Sequence, residues 1–280
     1  MTIETIIDIH NHSIPGIDDG AKDIEMSLEM LNIAKKNGTT DIILTPHHLN
    51  GAFNNFADDV IKSTASLKAK AKELNISINL HHGCEVHLVP ETVEQLINNK
   101  ALTFCGLGKA ALIELPKSTI PSGTESILSE LIYHEITPVI AHPERNSSLR
   151  KDHSPLFDWV EFGCWSQLTG QSCTGTFGES IQKFSFELIA NNLTHFIASD
   201  AHRPKGRNPN LRQAFTMISE TFDKSTATLL FHDNPSKLLK GLNAESLNLN
   251  TEEFSKLFSN KSSNRKNQKK KGKGWFKFFN

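Results

Sequence analysis

The sequence predicts an α/β protein assembled from β-then-α units, with its strands running parallel in a sheet or barrel. Three observations carry this reading. Seven short apolar runs alternate with amphipathic stretches of helix length. Histidines and carboxylates gather at the C-terminal ends of those runs, the rim on which βα folds build their sites. The 280 residues, 38% hydrophobic, show no internal repeat and no boundary before about residue 245. One undivided domain of roughly 240–260 residues is an ordinary size for an α/β barrel.

The elements follow in order. Strands are expected at Thr5–Ile9, Thr40–Leu44, Ile76–His81, Ala110–Leu115, Thr137–Ala141, Cys164–Leu168 and Thr194–Ala198, each five or six residues rich in apolar side chains. Helices are expected between them at Asp23–Asn37, Asn55–Leu74, Pro90–Asn99, Gly123–His134, Ser154–Phe162 and Gly175–Asn192, with a last one at Asn210–Phe222. These stretches mix apolar and charged residues, as a helix covering one face of a sheet requires.

The net charge of −1 conceals an asymmetry. Residues 1–253 hold all 31 acids but only 21 of the 30 Lys/Arg, whereas residues 254–280 hold nine basic residues and no acid. An acidic body suits cations and argues against a nucleic-acid groove, so no specific nucleic-acid partner is expected. Residues 246–280 read as a linker and a basic aromatic tail, with Lys269-Lys-Lys-Gly-Lys followed by Trp275-Phe-Lys-Phe-Phe279. The linker has too little apolar content to order itself. The 269–279 tail suits an anionic membrane surface, where each basic residue contributes on the order of 1 kcal/mol. Docking to a protein partner and plain solubilisation are the alternatives.

No signal peptide and no 18-residue apolar run occurs, and the four cysteines form no C-x-x-C pair. A cytoplasmic location with reduced thiols is therefore expected, peripheral at the inner face of the membrane if the tail engages it. A cysteine nucleophile that cradles a phosphate ester needs an arginine six residues on. Those positions hold Pro90, Ala111, Gly170 and Glu179, so a thiol-phosphate mechanism is not expected.

The chemistry lies in six segments: Asp8-Ile-His10-Asn-His12, Asp18-Asp19-Gly20, Thr45-Pro46-His47-His48, Glu85, Ala141-His142-Pro143-Glu144-Arg145 and Ser199-Asp200-Ala201-His202. On an extended strand end His10 and His12 point to one side. Asp18-Asp19-Gly20, taken alone, reads equally well as a turn. Glu114 sits within Leu112-Ile-Glu-Leu, where an unpaired charge is costly and a cation partner is expected. Imidazoles and carboxylates in this combination bind divalent ions and activate water for hydrolysis. Arg145 and Arg207 stand close in sequence to His142 and His202 and offer forks for phosphate. The Thr169-Gly-Gln-Ser172 and Gly175-Thr-Phe-Gly178 stretch reads either as a source of supporting hydrogen bonds or as a plain glycine-rich strand-to-helix connection. His134, His153, His195 and His232 lack this context.

His10-x-His12, Thr45-Pro46-His47, Glu85, Glu114, His142-Pro143 and Ser199-Asp200-x-His202 resemble the PHP (polymerase and histidinol phosphatase) superfamily. Gly16-Ile-Asp-Asp-Gly-Ala-Lys22, Gly83-Cys-Glu-Val-His87 and His142-Pro-Glu-Arg-Asn146 narrow the likeness. Together they resemble the manganese-dependent tyrosine phosphatases of bacterial capsule and exopolysaccharide operons (the CpsB/YwqE type), from about residue 6 to 240. The resemblance implies a distorted (β/α)7 TIM-like barrel over residues 1–245, holding three divalent ions. Mn²⁺ is the first expectation, and the thiolate-free donor set also tolerates Fe²⁺ or Zn²⁺. His10, His12, Glu85 and Asp200 would surround one ion. Glu85 would bridge to a second, completed by Glu114 and His142, and Asp19, His47 and His202 would hold the third. Arg145 and Arg207 would bind the phosphoryl group, while the role of Arg203 is open. The implied partner is the phosphotyrosine tail of a membrane-anchored tyrosine kinase, and relatives form small homo-oligomers. A histidinol-phosphate-type small-molecule phosphatase and a non-catalytic kinase-binding module are the alternatives.

Overall fold

The structure is a computed structural model that describes residues 5–250; the basic aromatic tail lies outside the described residues. Among the described residues there are nine strands: β1 (Ile6–Asn11), β2 (Thr39–Leu44), β3 (His47–His48), β4 (Asn79–His82), β5 (Glu85–His87), β6 (Ala110–Glu114), β7 (Thr137–Ala141), β8 (Trp165–Thr169) and β9 (Phe196–Ala198). Every pairing is parallel, as the α/β reading requires. One sheet has the order β1-β2-β4, and the other runs β3-β5-β6-β7-β8-β9.

The two short strands not foreseen have a simple origin. β3 follows β2 after only Thr45-Pro46, and β5 follows β4 after Gly83-Cys84. Pro46 has no N–H to give a ladder, and its carbonyl instead accepts from Glu85 N at 3.1 Å. The chain thus steps from one sheet to the other at the rim where His47 and Glu85 stand. At the other margin, Asn11 bridges to Ala201, with Asp200 N donating to His10 O at 2.8 Å and His12 N to Ala201 O at 2.9 Å. β1 is thereby tied to the chain leaving β9.

Helices α1 (Ile24–Lys36), α2 (Ala57–Glu73), α3 (Thr92–Ile97) and α4 (Thr124–Tyr133) fall inside their expected ranges. Short helices α5 (Ser147–Lys151), α6 (Ser154–Glu161) and α7 (Gly170–Cys173) precede α8 (Glu179–Ala190) and α9 (Arg212–Thr221). The chain closes with α10 (Lys224–Thr228), a π-helical turn (Leu229–Asp233) and α11 (Asn234–Leu238). α1 shows why such boundaries are legible. The Asp23 side chain accepts from Met26 N, Glu25 lies in the first turn, and Lys35 and Lys36 lie in the last.

The apolar faces of these helices pack on the strands through Leu31, Leu67, Leu128, Trp159, Leu188 and Ile218, all essentially inaccessible. Packing continues past residue 245: Leu247 is buried, and Leu249 N donates to Asn192 Oδ1 at 2.8 Å. Thr5–Ile9 proves longer than expected, since β1 runs to Asn11 and includes His10. The expected Ile76–His81 strand begins only at Asn79.

Candidate metal centre

β1 delivers His10 and the residue just past its end, His12, two positions apart. His10 Nδ1 faces Gln167 Oε1 at 2.8 Å, and His12 Nδ1 faces Asp18 Oδ2 at 2.7 Å. A neutral ring that donates Nδ1–H to these acceptors leaves its Nε2 lone pair for a cation. Those two Nε2 atoms lie 3.0 Å apart. Glu85 Oε2 stands 3.2 Å from His10 Nε2 and 3.3 Å from His12 Nε2, and Asp200 Oδ1 stands 3.3 and 3.5 Å from the same atoms. All four residues are buried.

Two further groups adjoin this one. His47, Glu85 and Glu114 form the second, with His47 Nδ1 at 3.0 Å from Glu85 Oε2 and 3.7 Å from Glu114 Oε2. His142 Nε2 lies 2.9 Å from Glu85 Oε1. The third holds His12, Asp19, His47 and His202, with Asp19 Oδ1 at 3.2 Å from His202 Nε2 and 3.4 Å from His47 Nε2. Its Asp19 carboxylate is half exposed and marks the open side. The structure therefore gathers all nine sequence-selected residues, with His12 and His47 each shared between neighbouring groups.

This cluster suits cations. Glu85 Oε2, Asp200 Oδ1, His47 Nδ1 and His202 Nε2 are buried without a hydrogen-bond partner. Some of them approach each other closely, but without the geometry of a hydrogen bond. Donor atoms on one ion, with bonds of about 2.1 Å, stand roughly 3.0–3.4 Å apart, which matches the His10–His12–Glu85–Asp200 separations. Burial by itself would raise the Glu85 carboxyl, but His10 and His47 outweigh it and hold it well below the usual carboxylate range. Burial likewise opposes ionisation of Asp200, yet His10, Arg207 and Arg145 keep it depressed. The reverse holds for His47: against burial, Glu85 and a hydrogen bond to Asp19 push it up to about 10. The carboxylates demand positive charge at this position.

Both sequence-selected arginines converge on one atom. Arg145 Nη1 and Arg207 Nη2 each bond Asp200 Oδ2. Both guanidiniums remain partly exposed, beside the centre. Arg203 is exposed, and only its backbone joins the loop, donating to Arg207 O at 3.0 Å. The Thr169–Ser172 stretch does supply supporting bonds: Thr169 N and Ser172 Oγ both donate to Glu144 Oε1, at 2.9 and 2.6 Å. Buried Glu144 thereby fixes the turn that carries His142 and Arg145.

Two of the eight non-glycine residues with positive φ among the described residues belong to the centre. His142 (φ 33°) and Asp200 (φ 50°) occupy left-handed conformations that non-glycine residues seldom adopt. Gly20 permits the close approach of the Asp18–Asp19 turn to β1, for a Cβ there would lie 2.0 Å from His12 O.

Asp8, Asp18 and His87 (Nδ1 3.1 Å from Glu114 Oε2) fall within the segments and motifs selected from the sequence but are given no role there, and Gln167 is not selected. Asp8 accepts from Ser199 N, Ser199 Oγ and Asn11 Nδ2, which locks the Asp200 turn onto β1. Gln167 carried a usable signal, a polar amide inside an apolar strand. The cysteines stay out of the chemistry: all four are free, and burial pushes the Cys84, Cys105 and Cys164 thiols up to about 12. A separate cavity of about 190 Å³, lined by Phe104, Lys109, Thr137 and Trp165, holds none of the candidate residues.

Parallel strands with a buried imidazole–carboxylate cluster at their C-terminal rim define the class of metal-dependent hydrolases. Residues 6–240 match the family Capsular polysaccharide synthesis, CpsB/CapC, and the chain belongs to it. It is 37% identical over 235 residues to the tyrosine-protein phosphatase YwqE of Bacillus subtilis (strain 168), covering 84% of this chain and 92% of that one. It is 30% identical over 240 residues to the tyrosine-protein phosphatase CpsB of Streptococcus agalactiae serotype III, covering 84% and 98%. Among solved structures it superposes, with a TM-score of 0.83 and 34% identity, on a chain from the work on YwqE of Bacillus subtilis and CpsB of Streptococcus pneumoniae, described as unique metal-dependent tyrosine phosphatases. That match covers 86% of this chain and 97% of the other.

Proposed function

We propose that this chain is a metal-dependent protein-tyrosine phosphatase. Its substrate is the phosphotyrosine tail of a membrane-anchored bacterial tyrosine kinase, and its effect falls on capsule or exopolysaccharide assembly. The observation that carries the reading is the set of four buried, partnerless donor atoms, packed beside two arginines that share Asp200.

The adjoining donor groups suit three divalent ions; the imidazole and carboxylate set tolerates Mn²⁺, Fe²⁺ or Zn²⁺, and Mn²⁺ is the choice that the likeness to the phosphatase family favours. His10, His12, Glu85 and Asp200 would hold the first ion; Glu85 and Glu114 the second, with His142, which reaches Glu85 Oε1, completing it; and Asp19, His47 and His202 the third, His47 also lying within reach of the second. When bound, such ions neutralise phosphoryl oxygens and bring the pKa of water toward neutrality. Gln167 and Asp18 keep the His10 and His12 rings oriented, so that both Nε2 lone pairs stay aimed at the centre. Arg145 and Arg207 exchange part of their contact with Asp200 for the phosphoryl oxygens, binding and orienting the ester. Phenolate leaves without strong acid assistance, because the phenol pKa is only about 10.

Two features support the finer fold. β2–β3 and β4–β5 count as two interrupted strands, and the Asn11–Ala201 bridge joins β1 to the segment after β9. Seven strands would then make a distorted (β/α)7 barrel of the PHP type, with buried Leu247 and the Leu249–Asn192 bond carrying its packing past the sequence-read bound at residue 245. Among the described residues no helix is long and apolar enough to cross a membrane. A cytoplasmic enzyme reaching the membrane face through its 269–279 tail fits a kinase substrate anchored there.

The test is an assay of purified, metal-stripped protein on a phosphotyrosine peptide with Mn²⁺ restored, beside His142→Ala and histidinol phosphate. Mn²⁺-dependent release from the peptide, lost in the variant and weak on histidinol phosphate, is expected. Preference for histidinol phosphate, or silence on both, would overturn the proposal.

A further inference from the structure

Two phenylalanines border the centre without belonging to the core. The Phe53 ring lies nearly parallel to the His47 imidazole, 12° between planes and 6.4 Å between centroids. Phe177 receives the Arg145 guanidinium, whose Cζ stands 5.6 Å from its centroid. Both are partly exposed, whereas Phe104, Phe196, Phe215 and Phe231 are buried. Each ring keeps an open apolar face beside a polar cluster, a surface that an apolar or aromatic ligand group can stack on.

Both rings are also held in place. Phe53 sits on a turn in which Asn50 Oδ1 accepts from Ala52 N and Phe53 N, at 3.0 and 2.8 Å. Asn55 Nδ2 pins that turn to the site by donating to Ile17 O and His47 O. Phe177 stands between Gly175 and Gly178, closed by a Gly178 N to Gly175 O bond at 3.0 Å. The two segments approach from distant parts of the chain, one after β3 and the other after β8.

We propose that Phe53 and Phe177 are specificity residues that receive the aryl ring of the substrate while Arg145 and Arg207 take its phosphoryl group. This rests on the phosphatase reading above. An aryl ester places a flat ring just beyond the phosphorus, at the rim these side chains form. An alkyl ester offers nothing for them to pack on. The rings act on binding rather than on bond breaking, so their removal raises KM more than it lowers kcat.

The experiment compares wild type with Phe53→Leu and Phe177→Leu, using the Mn²⁺-loaded full chain. Substrates are one peptide phosphorylated on tyrosine and the same peptide phosphorylated on serine, with inorganic phosphate as competitive inhibitor. Each variant is expected to lose about five- to tenfold in kcat/KM on the phosphotyrosine peptide, mostly through KM. Phosphoserine turnover and the phosphate inhibition constant should stay within about twofold, which a displaced Arg145 would not allow. An equal loss on both peptides, a parallel weakening of phosphate, or no loss at all overturns the aryl-binding role. Wild type inactive on phosphotyrosine would instead strike the phosphatase reading itself.

Discussion

The Nε2 atoms of His10 and His12 face each other at 3.0 Å, and both residues are buried. Their Nδ1 atoms are engaged by Gln167 and Asp18, so two lone pairs point at one another. Only a cation or an added proton relieves that repulsion. Divalent metal should therefore stabilise the fold as well as enable the reaction. At a hundredfold excess over Kd, Mn²⁺ is expected to add about 2.7 kcal/mol, read as a rise in Tm. An unchanged Tm on adding Mn²⁺ to chelator-treated protein would contradict the assignment.

Asp18 lies outside the nine candidate ligands yet accepts from His12 and from His47 N at 3.2 Å. Asp18→Asn removes the charge that fixes the His12 ring. Mn²⁺ affinity measured by calorimetry should fall about 10–100-fold, with the fold retained by circular dichroism.

Gly20 leaves no room for a methyl group, since the nearest atoms are backbone and Cβ of His12. Gly20→Ala must push the Asp18–Asp19 turn away from β1. Activity should be nearly abolished, with stability reduced by about 1–3 kcal/mol in urea unfolding. Wild-type activity in this variant would show that the turn can be displaced freely.

Arg145 is tied to Asp200 and stands beside the centre. Lysine keeps the charge but loses the planar fork. Arg145→Lys should lower kcat/KM on a phosphotyrosine peptide about 10–100-fold, with Mn²⁺ affinity nearly unchanged.

His195 gives a pH dependence remote from the metals. Burial lowers its pKa to about 4, and its Nδ1 accepts from Ser166 N. The unfolded chain, titrating near 6.5, therefore binds more protons than the folded one between these values. Stability from the neutral ring is complete above about pH 6.5 and lost progressively toward pH 4, a change on the order of 3 kcal/mol. In His195→Gln, urea midpoints at pH 7 and pH 4.5 should differ less than in wild type; an equal difference would rule out this contribution.

The site was legible in the sequence because its residues break the pattern around them. His10 at the end of an isoleucine run, and Glu114 between leucine and isoleucine, each pay a desolvation cost that an apolar strand does not otherwise tolerate. The helices were legible through their periodicity and caps, Asp23 of α1 being one example. β3 and β5 were not, because two or three residues carry no period. Nor was the supporting layer. Asp18 sits in a turn where one carboxylate looks like the next, and Asp8 reads as one polar residue in a strand, although Ser199, 191 positions away, is its partner.

The sequence by itself determined the α/β class, the order of its elements and the residue types able to hold metal, since periodicity and donor chemistry are local properties. The tertiary structure decided which donors share a group: His12 between two of them, His47 between two, and both arginines on one Asp200 oxygen. It also decided the strained backbone at His142 and Asp200 and the placing of Phe53 and Phe177 beside the centre. Those relations join residues as far apart as 190 positions, and distances between them exist only once the strands have paired.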